Sequence, residues 1–87
     1  MHVDGNALAG PLSEVLGVEL TVATTTCVGC GRSDAVASLH VYSGGPGVVA
    51  RCPGCTNVVL RYVRTTTAGY LDLRGSVALR VALPADA

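Results

Sequence analysis

Two cysteine pairs carry the clearest chemistry in this chain: Cys27-Val28-Gly29-Cys30 and Cys52-Pro53-Gly54-Cys55, with 21 residues between Cys30 and Cys52. Four thiolates in two C-x2-C pairs at that separation form the ligand set of a tetrahedral metal site, most often structural zinc. Two intervening residues let a tight turn aim both sulfurs at one ion about 2.3 Å away. Backbone N–H groups in such a turn can point at the sulfurs and spread their charge. Gly29 and Gly54 allow backbone conformations barred to other residues, and Pro53 fixes its own φ. Cys27, Cys30, Cys52 and Cys55 are therefore the predicted ligands of Zn2+. A tetrahedral all-sulfur site also accepts a single iron, as in rubredoxin-like electron carriers. Such proteins usually pack aromatic side chains around the metal, and this chain has no Trp and no Phe. A dithiol–disulfide role is weaker, because no βαβ pattern surrounds either pair.

No catalytic set stands beside the cysteines. His40 lies in the middle of a predicted strand with no second ligand at useful spacing, and reads as a surface or half-buried strand residue. His2 is terminal and is expected to be mobile. Asp34 and Asp72 are single acids that nothing pairs. A closed four-cysteine site leaves no position open for a substrate, so the chain reads as a non-enzyme. Arg61, Arg64, Arg74 and Arg80 fall on neighbouring predicted strands. Arginine is mostly solvent-exposed, so a solvated sheet face is the simpler explanation. The functional alternative is a patch for an acidic partner or a cofactor phosphate, with Tyr62 and Tyr70 available for stacking.

Eighty-seven residues are read as one domain whose own core gives marginal stability, a deficit that a structural metal can make up. Six basic and six acidic residues balance overall but not along the chain. Residues 1–50 set Arg32 against Asp4, Glu14, Glu19 and Asp34, a net of −3. Residues 51–87 set Arg51, Arg61, Arg64, Arg74 and Arg80 against Asp72 and Asp86, a net of +3. Overall neutrality disfavours a nucleic-acid partner, which calls for a strongly basic face. No charged segment followed by a long apolar one marks a signal peptide, and no run approaches a membrane span. Cysteines in a chain without such signals favour a reducing compartment, which predicts a cytoplasmic protein. Hydrophobic residues make up 49% of the chain. For so small a core that predicts a protein-binding face or a homodimer formed through sheet edges.

The elements that must position the cysteines follow from periodicity. Residues 1–17 predict a helical segment, with Asp4 as N-cap and Leu8, Leu12, Val15 and Leu16 on one face. Pro11 is expected to divide it into a turn over Asn6–Ala9 and a helix over Pro11–Leu16, closed by Gly17. Residues 18–83 predict a metal-centred β module. Val18–Val22 alternates as a strand; residues 36–42 and 48–51 form a hairpin about a turn at Gly44–Gly47. Val58–Arg64, Tyr70–Arg74 and Val77–Leu83 supply three more strands, the last with Val77, Leu79, Val81 and Leu83 on one face. Gly31 suits a left-handed position after the first pair, and Asn57 is the candidate for that role after the second. Residues 84–87 read as a tail. The expected fold class is mainly β and zinc-ribbon-like: about six short strands, a short helical N-terminus, and two cysteine knuckles joined through a hairpin.

Taken together, DGNALAGPLSEVLG, CVGCG, RCPGC and LDLRG make the chain resemble a family of small actinobacterial proteins classed as a domain of unknown function. The likeness runs from Asp4 to about Leu83. It implies a metal-bound β module with Cys27, Cys30, Cys52 and Cys55 as ligands, and it lends no catalytic residues. It also implies an accessory role beside a redox enzyme, since such genes are expected near flavin- and molybdopterin-dependent oxidoreductases.

Overall fold

The computed structural model describes residues 2–16, 20–44 and 47–82, without the side chains of 14–16. Expectations for Val15, Leu16, Gly17, Val18, Glu19, the centre of the Gly44–Gly47 turn, Leu83 and the tail fall outside the described residues. Eight strands are described: β1 (Val3–Asp4), β2 (Thr24–Cys27), β3 (Ser33–Ala35), β4 (His40–Gly44), β5 (Gly47–Arg51), β6 (Val58–Arg64), β7 (Gly69–Asp72) and β8 (Ser76–Arg80). They form two antiparallel sheets, a five-stranded one ordered β1-β4-β5-β6-β7 and a three-stranded one ordered β3-β2-β8. With one short helix at the N-terminus, α1 (Ala9–Leu16), the fold is mainly β.

Asp4 caps the N-terminal segment, its Oδ1 accepting from Asn6 N at 3.0 Å. A 3₁₀ turn over Gly5–Leu8 runs directly into α1, so the helix starts two residues before Pro11 and includes it. The first turn of a helix has no use for the missing proline donor, and Gly10 lacks the Cβ that Pro11 would crowd. Leu8 and Leu12 are buried together with Val36, Leu39 and Val41, so the segment docks on its own chain. Contact there is close: a Cβ at Gly5 would stand 1.7 Å from the Val36 carbonyl oxygen.

Two strand expectations need correction. Residues 20–23 form a buried turn in place of the end of a strand, with Ala23 N donating to the Leu20 carbonyl at 2.9 Å. Leu20 and Ala23 point inward at a spacing of three while Val22 is 77% exposed, which breaks the period of two. Residues 36–42 divide into a 3₁₀ turn over Val36–Ser38 and β4. Val36 and Leu39 both enter the core, and only a helical spacing allows that. The strand β3 was not foreseen. Its sequence has little β preference, and it forms because the first cysteine turn lays it beside β2, with Thr24 opposite Ala35 and Thr26 opposite Ser33.

Strands β4 to β7 form a meander in which Val41, Ala50, Leu60 and Leu71 face the core. After β7 a turn closed by Ser76 N to the Leu73 carbonyl (2.9 Å) sends β8 across to pair with β2. As an edge strand it buries little. Leu79 packs on the core, but Val77 and Val81 are exposed, so the expected apolar face is only partly covered. The cysteines sit at the junction of the sheets: Cys27 ends β2, and Cys52 follows β5.

Candidate metal centre

Both cysteine turns have the same hydrogen-bond plan. In the first, Gly29 N donates to Cys27 Sγ at 3.3 Å, Gly31 N to the Cys27 carbonyl at 2.9 Å, and Cys27 N to the Arg32 carbonyl at 2.9 Å. In the second, Gly54 N donates to Cys52 Sγ at 3.3 Å, Thr56 N to the Cys52 carbonyl at 2.9 Å, and Cys52 N to the Asn57 carbonyl at 2.8 Å. Each turn needs a left-handed residue directly after its second cysteine. Gly31 supplies it with φ 75°, as its sequence suggested. In the second turn Thr56 supplies it with φ 66°, not Asn57. A β-branched residue there is strained, and the surrounding bonds hold it. Among them, Arg51 Nη1 donates to the Thr56 carbonyl at 2.9 Å.

These twin turns bring the four sulfurs together, all within 4.8 Å of one another. Across the turns, Cys27 Sγ lies 3.6 Å from Cys55 Sγ, and Cys30 Sγ lies 3.7 Å from Cys52 Sγ. A tetrahedron with arms of about 2.3 Å has edges of about 3.8 Å, so the donor set fits a zinc-sized ion held by four thiolates. No disulfide joins the cysteines. Cys27 and Cys52 are buried, whereas Cys30 and Cys55 are exposed.

The thiols do not titrate alike. Burial pushes the Cys52 thiol up, but N–H groups of Cys55 and Gly54 and the sulfurs of Cys30 and Cys27 outweigh it and bring it down to about 7. The Asn57 N–H draws the Cys55 thiol down, yet desolvation and the three neighbouring sulfurs hold it up at about 11. Of these two thiols Cys52 gives up its proton the more readily, and a cation at the site is what would let Cys55 follow.

The other residues singled out from the sequence are spread over both sheets. Arg61 and Arg74 flank Asp72: Arg61 stands opposite it across the β6–β7 ladder, and Arg74 grips it with Nη2 to Oδ2 at 2.6 Å and Nε to Oδ1 at 3.0 Å. That grip, chiefly the Arg74 side-chain bond, pulls the Asp72 carboxyl down to about 2 and raises the Arg74 guanidinium. Arg64 lies with Tyr62 beside the Thr65–Gly69 loop, and Tyr62 is only 6% exposed, so its ring is packed and not offered for stacking. Tyr70 is exposed on β7, and Arg80 is exposed on β8 in the other sheet. His40 is half-buried, as expected, but His2 is engaged: their rings stack at 3.9 Å. Tyr42 and Arg51, on the outer side of β4 and β5, were not singled out. Their positions alternate with core residues Val41 and Ala50, and that alternation is the signal that could have found them.

Fold and site define a small β module built around a cluster of four cysteines that could hold a metal ion. A family model described as a family of unknown function (DUF6510) matches residues 1–84, and the chain belongs to that family. No curated protein and no solved structure matches it. Among the described residues, no helix is long and apolar enough to cross a membrane.

Proposed function

We propose that this chain is a structural zinc module without catalytic activity, which works in the cytoplasm by binding another protein. The observation that carries the metal reading is the sulfur arrangement: two cross-turn separations of 3.6 and 3.7 Å match the edges of a zinc–thiolate tetrahedron. All four positions of such a tetrahedron are filled by protein sulfur, which supports a scaffolding role over chemistry. Exposed Val77 on the edge strand β8, with exposed Val81 just after it, supports a protein partner or a second copy of the chain, since unpaired strand edges with apolar side chains invite pairing. An actinobacterial source fits the arginine-rich, lysine-free composition, and a redox enzyme is the partner that such an accessory module would serve.

One observation favours a second reading. Cys30 and Cys55 are exposed, so one edge of the sulfur cluster faces solvent, where electrons could enter and leave an iron ion. Metal content with a visible spectrum, on protein purified without chelator or added metal, decides between them. One zinc per chain and no colour is the expected result. One iron with thiolate charge-transfer bands would replace the zinc reading with electron transfer. A folded protein with four titratable thiols and no metal would overturn both.

A further inference from the structure

The outer face of the five-stranded sheet, opposite the core, carries a concavity of about 830 Å³ bordered by Tyr42, Gly47, Val49, Arg51, Arg61 and Val63. A sheet face is ordinarily carpeted by side chains. This one is hollow because Gly44 and Gly47 stand opposite each other across the β4–β5 ladder and contribute none. The two glycines differ. A Cβ on Gly47 would press the Tyr62 carbonyl oxygen and Val63 Cγ2 at 3.0 Å, whereas a Cβ on Gly44 would meet nothing within 4 Å.

The lining contains two guanidinium groups and no carboxylate. Arg51 donates one N–H to the Thr56 carbonyl and lies 5.9 Å from the Tyr42 ring centre, which leaves its other N–H groups for a ligand. Arg61 makes no hydrogen bond or salt bridge among the described residues. The carboxylate opposite it, Asp72, is already held by Arg74. In a chain of zero net charge this is a local positive site, and it suits an anion.

Shape narrows the class. Tyr42, Val49 and Arg61 form one cross-strand row, with Val49 in the middle. Two strand spacings put Tyr42 and Arg61 about 10 Å apart at the backbone, room for one flat ring between a phenol and a guanidinium above the valine methyls. Both walls bind aromatic faces, the guanidinium by stacking and cation–π attraction. We propose that this hollow binds a small phosphate ester carrying a flat ring, a mononucleotide in class, with the ring over Val49 between Tyr42 and Arg61 and the phosphate on Arg51.

Adenosine monophosphate is the first probe, titrated calorimetrically into the full chain with its metal, with adenosine and inorganic phosphate as separate arms. The expected result is saturable binding of the nucleotide at about 1 mM or tighter, and at least about tenfold weaker binding of either fragment. Arg61→Gln removes an exposed charge that makes no hydrogen bond among the described residues, and Gly44→Leu fills the hollow without a backbone clash. Each should weaken binding by about tenfold or more while thermal unfolding stays unchanged. Tyr42→Leu is the third variant, and the other two decide the matter should it fail to fold. No saturable binding of the nucleotide overturns the proposal. So does binding that Arg61→Gln and Gly44→Leu leave unmoved, or phosphate alone binding as tightly as the nucleotide.

Discussion

Arg32, at the end of the first cysteine turn, lays its side chain over Gly54 in the second: a Cβ there would stand 3.2 Å from Arg32 Cδ and 3.2 Å from Nη1. The relationship is reciprocated. Asn57, the equivalent residue of the second turn, covers Gly29 in the first, with Cβ, Cγ and Nδ2 between 3.0 and 3.3 Å from a Cβ built there. Each turn is thus roofed by the other, and the two central glycines are needed for packing as much as for conformation.

The two roofs differ in how easily they give way. Arg32 meets Gly54 with the far end of a long side chain, which can swing aside. Asn57 meets Gly29 along its whole short side chain, from Nδ2 to a Cβ that the backbone fixes, so less of it can swing aside. Gly29→Ala should therefore cost about 1–3 kcal/mol and Gly54→Ala less than about 1 kcal/mol, read from denaturant unfolding of the metal-loaded protein. Adding Asn57→Ala to Gly29→Ala should restore part of the loss, a coupling that a double-mutant cycle measures. Equal costs at the two glycines would contradict this account.

Thr56→Gly should stabilise the protein. A left-handed conformation costs a non-glycine residue about 1–2 kcal/mol, and glycine gives back about 0.5–1 kcal/mol in chain entropy. The balance is a gain of up to about 1 kcal/mol, seen as a higher melting temperature. The hydrogen bond from Arg51 is kept, because it is received by the Thr56 backbone carbonyl.

Cys27→Ser or Cys52→Ser should uncouple metal binding from folding and leave the domain unfolded, as should a strong chelator on the unaltered chain. Far-UV circular dichroism with metal content checks this. A serine variant that kept both its metal and cooperative unfolding would refute it.

Acid should act through the same site. Metal binding requires thiolates, whereas the unfolded chain carries thiol protons below its ordinary thiol pKa. The unfolded state therefore binds more protons, and stability at fixed free metal rises with pH, by up to about 1.4 kcal/mol per thiol per pH unit. The high Cys55 thiol, at about 11, is one proton that the ion must displace. Metal release and unfolding should share one acid midpoint. A fold that survived metal release there would count against the coupling.

Gly75→Ala tests the contact that ties the turn before β8 to the first cysteine turn. A Cβ at Gly75 would stand 1.7 Å from the Val58 carbonyl oxygen, and the Gly75 carbonyl accepts from Val28 N at 3.0 Å. Only backbone movement could relieve that clash, at a cost above about 3 kcal/mol in unfolding free energy.

How much of this could be read beforehand depended on whether the signal was local. The clustering of the four sulfurs was legible because the spacing of Cys27, Cys30, Cys52 and Cys55 already implies two facing turns. Strand β6 was legible too, since Val58–Arg64 is a long β-branched run with turns on both sides. Residues 20–23 and 36–38 were not, because their apolar side chains reach the core at spacings of three, which short windows cannot distinguish from alternation. Nor was β3, a strand only by virtue of the turn before it. The spread of the arginines was hidden for a related reason: the sequence places Arg80 on a strand after β7, but not in a different sheet. Arg32 over Gly54 and Asn57 over Gly29 carry no sequence signal at all, since both contacts exist only once the two turns face each other.

The placement of the cysteines at the junction of the sheets also bears on the order in which the chain folds. Strands β4 to β7 pair with one another in sequence order, so that meander can form quickly. The pairing of β2 with β8 joins Cys27 to Ser76, about 50 residues apart, and must close a long loop. An ion gripping Cys27 and Cys55 together cuts that loop to about 20 residues before β8 arrives. The arrival of the metal then sets the moment at which the second sheet closes, and in a chain made under metal starvation the meander, without the second sheet, falls back to the unfolded state.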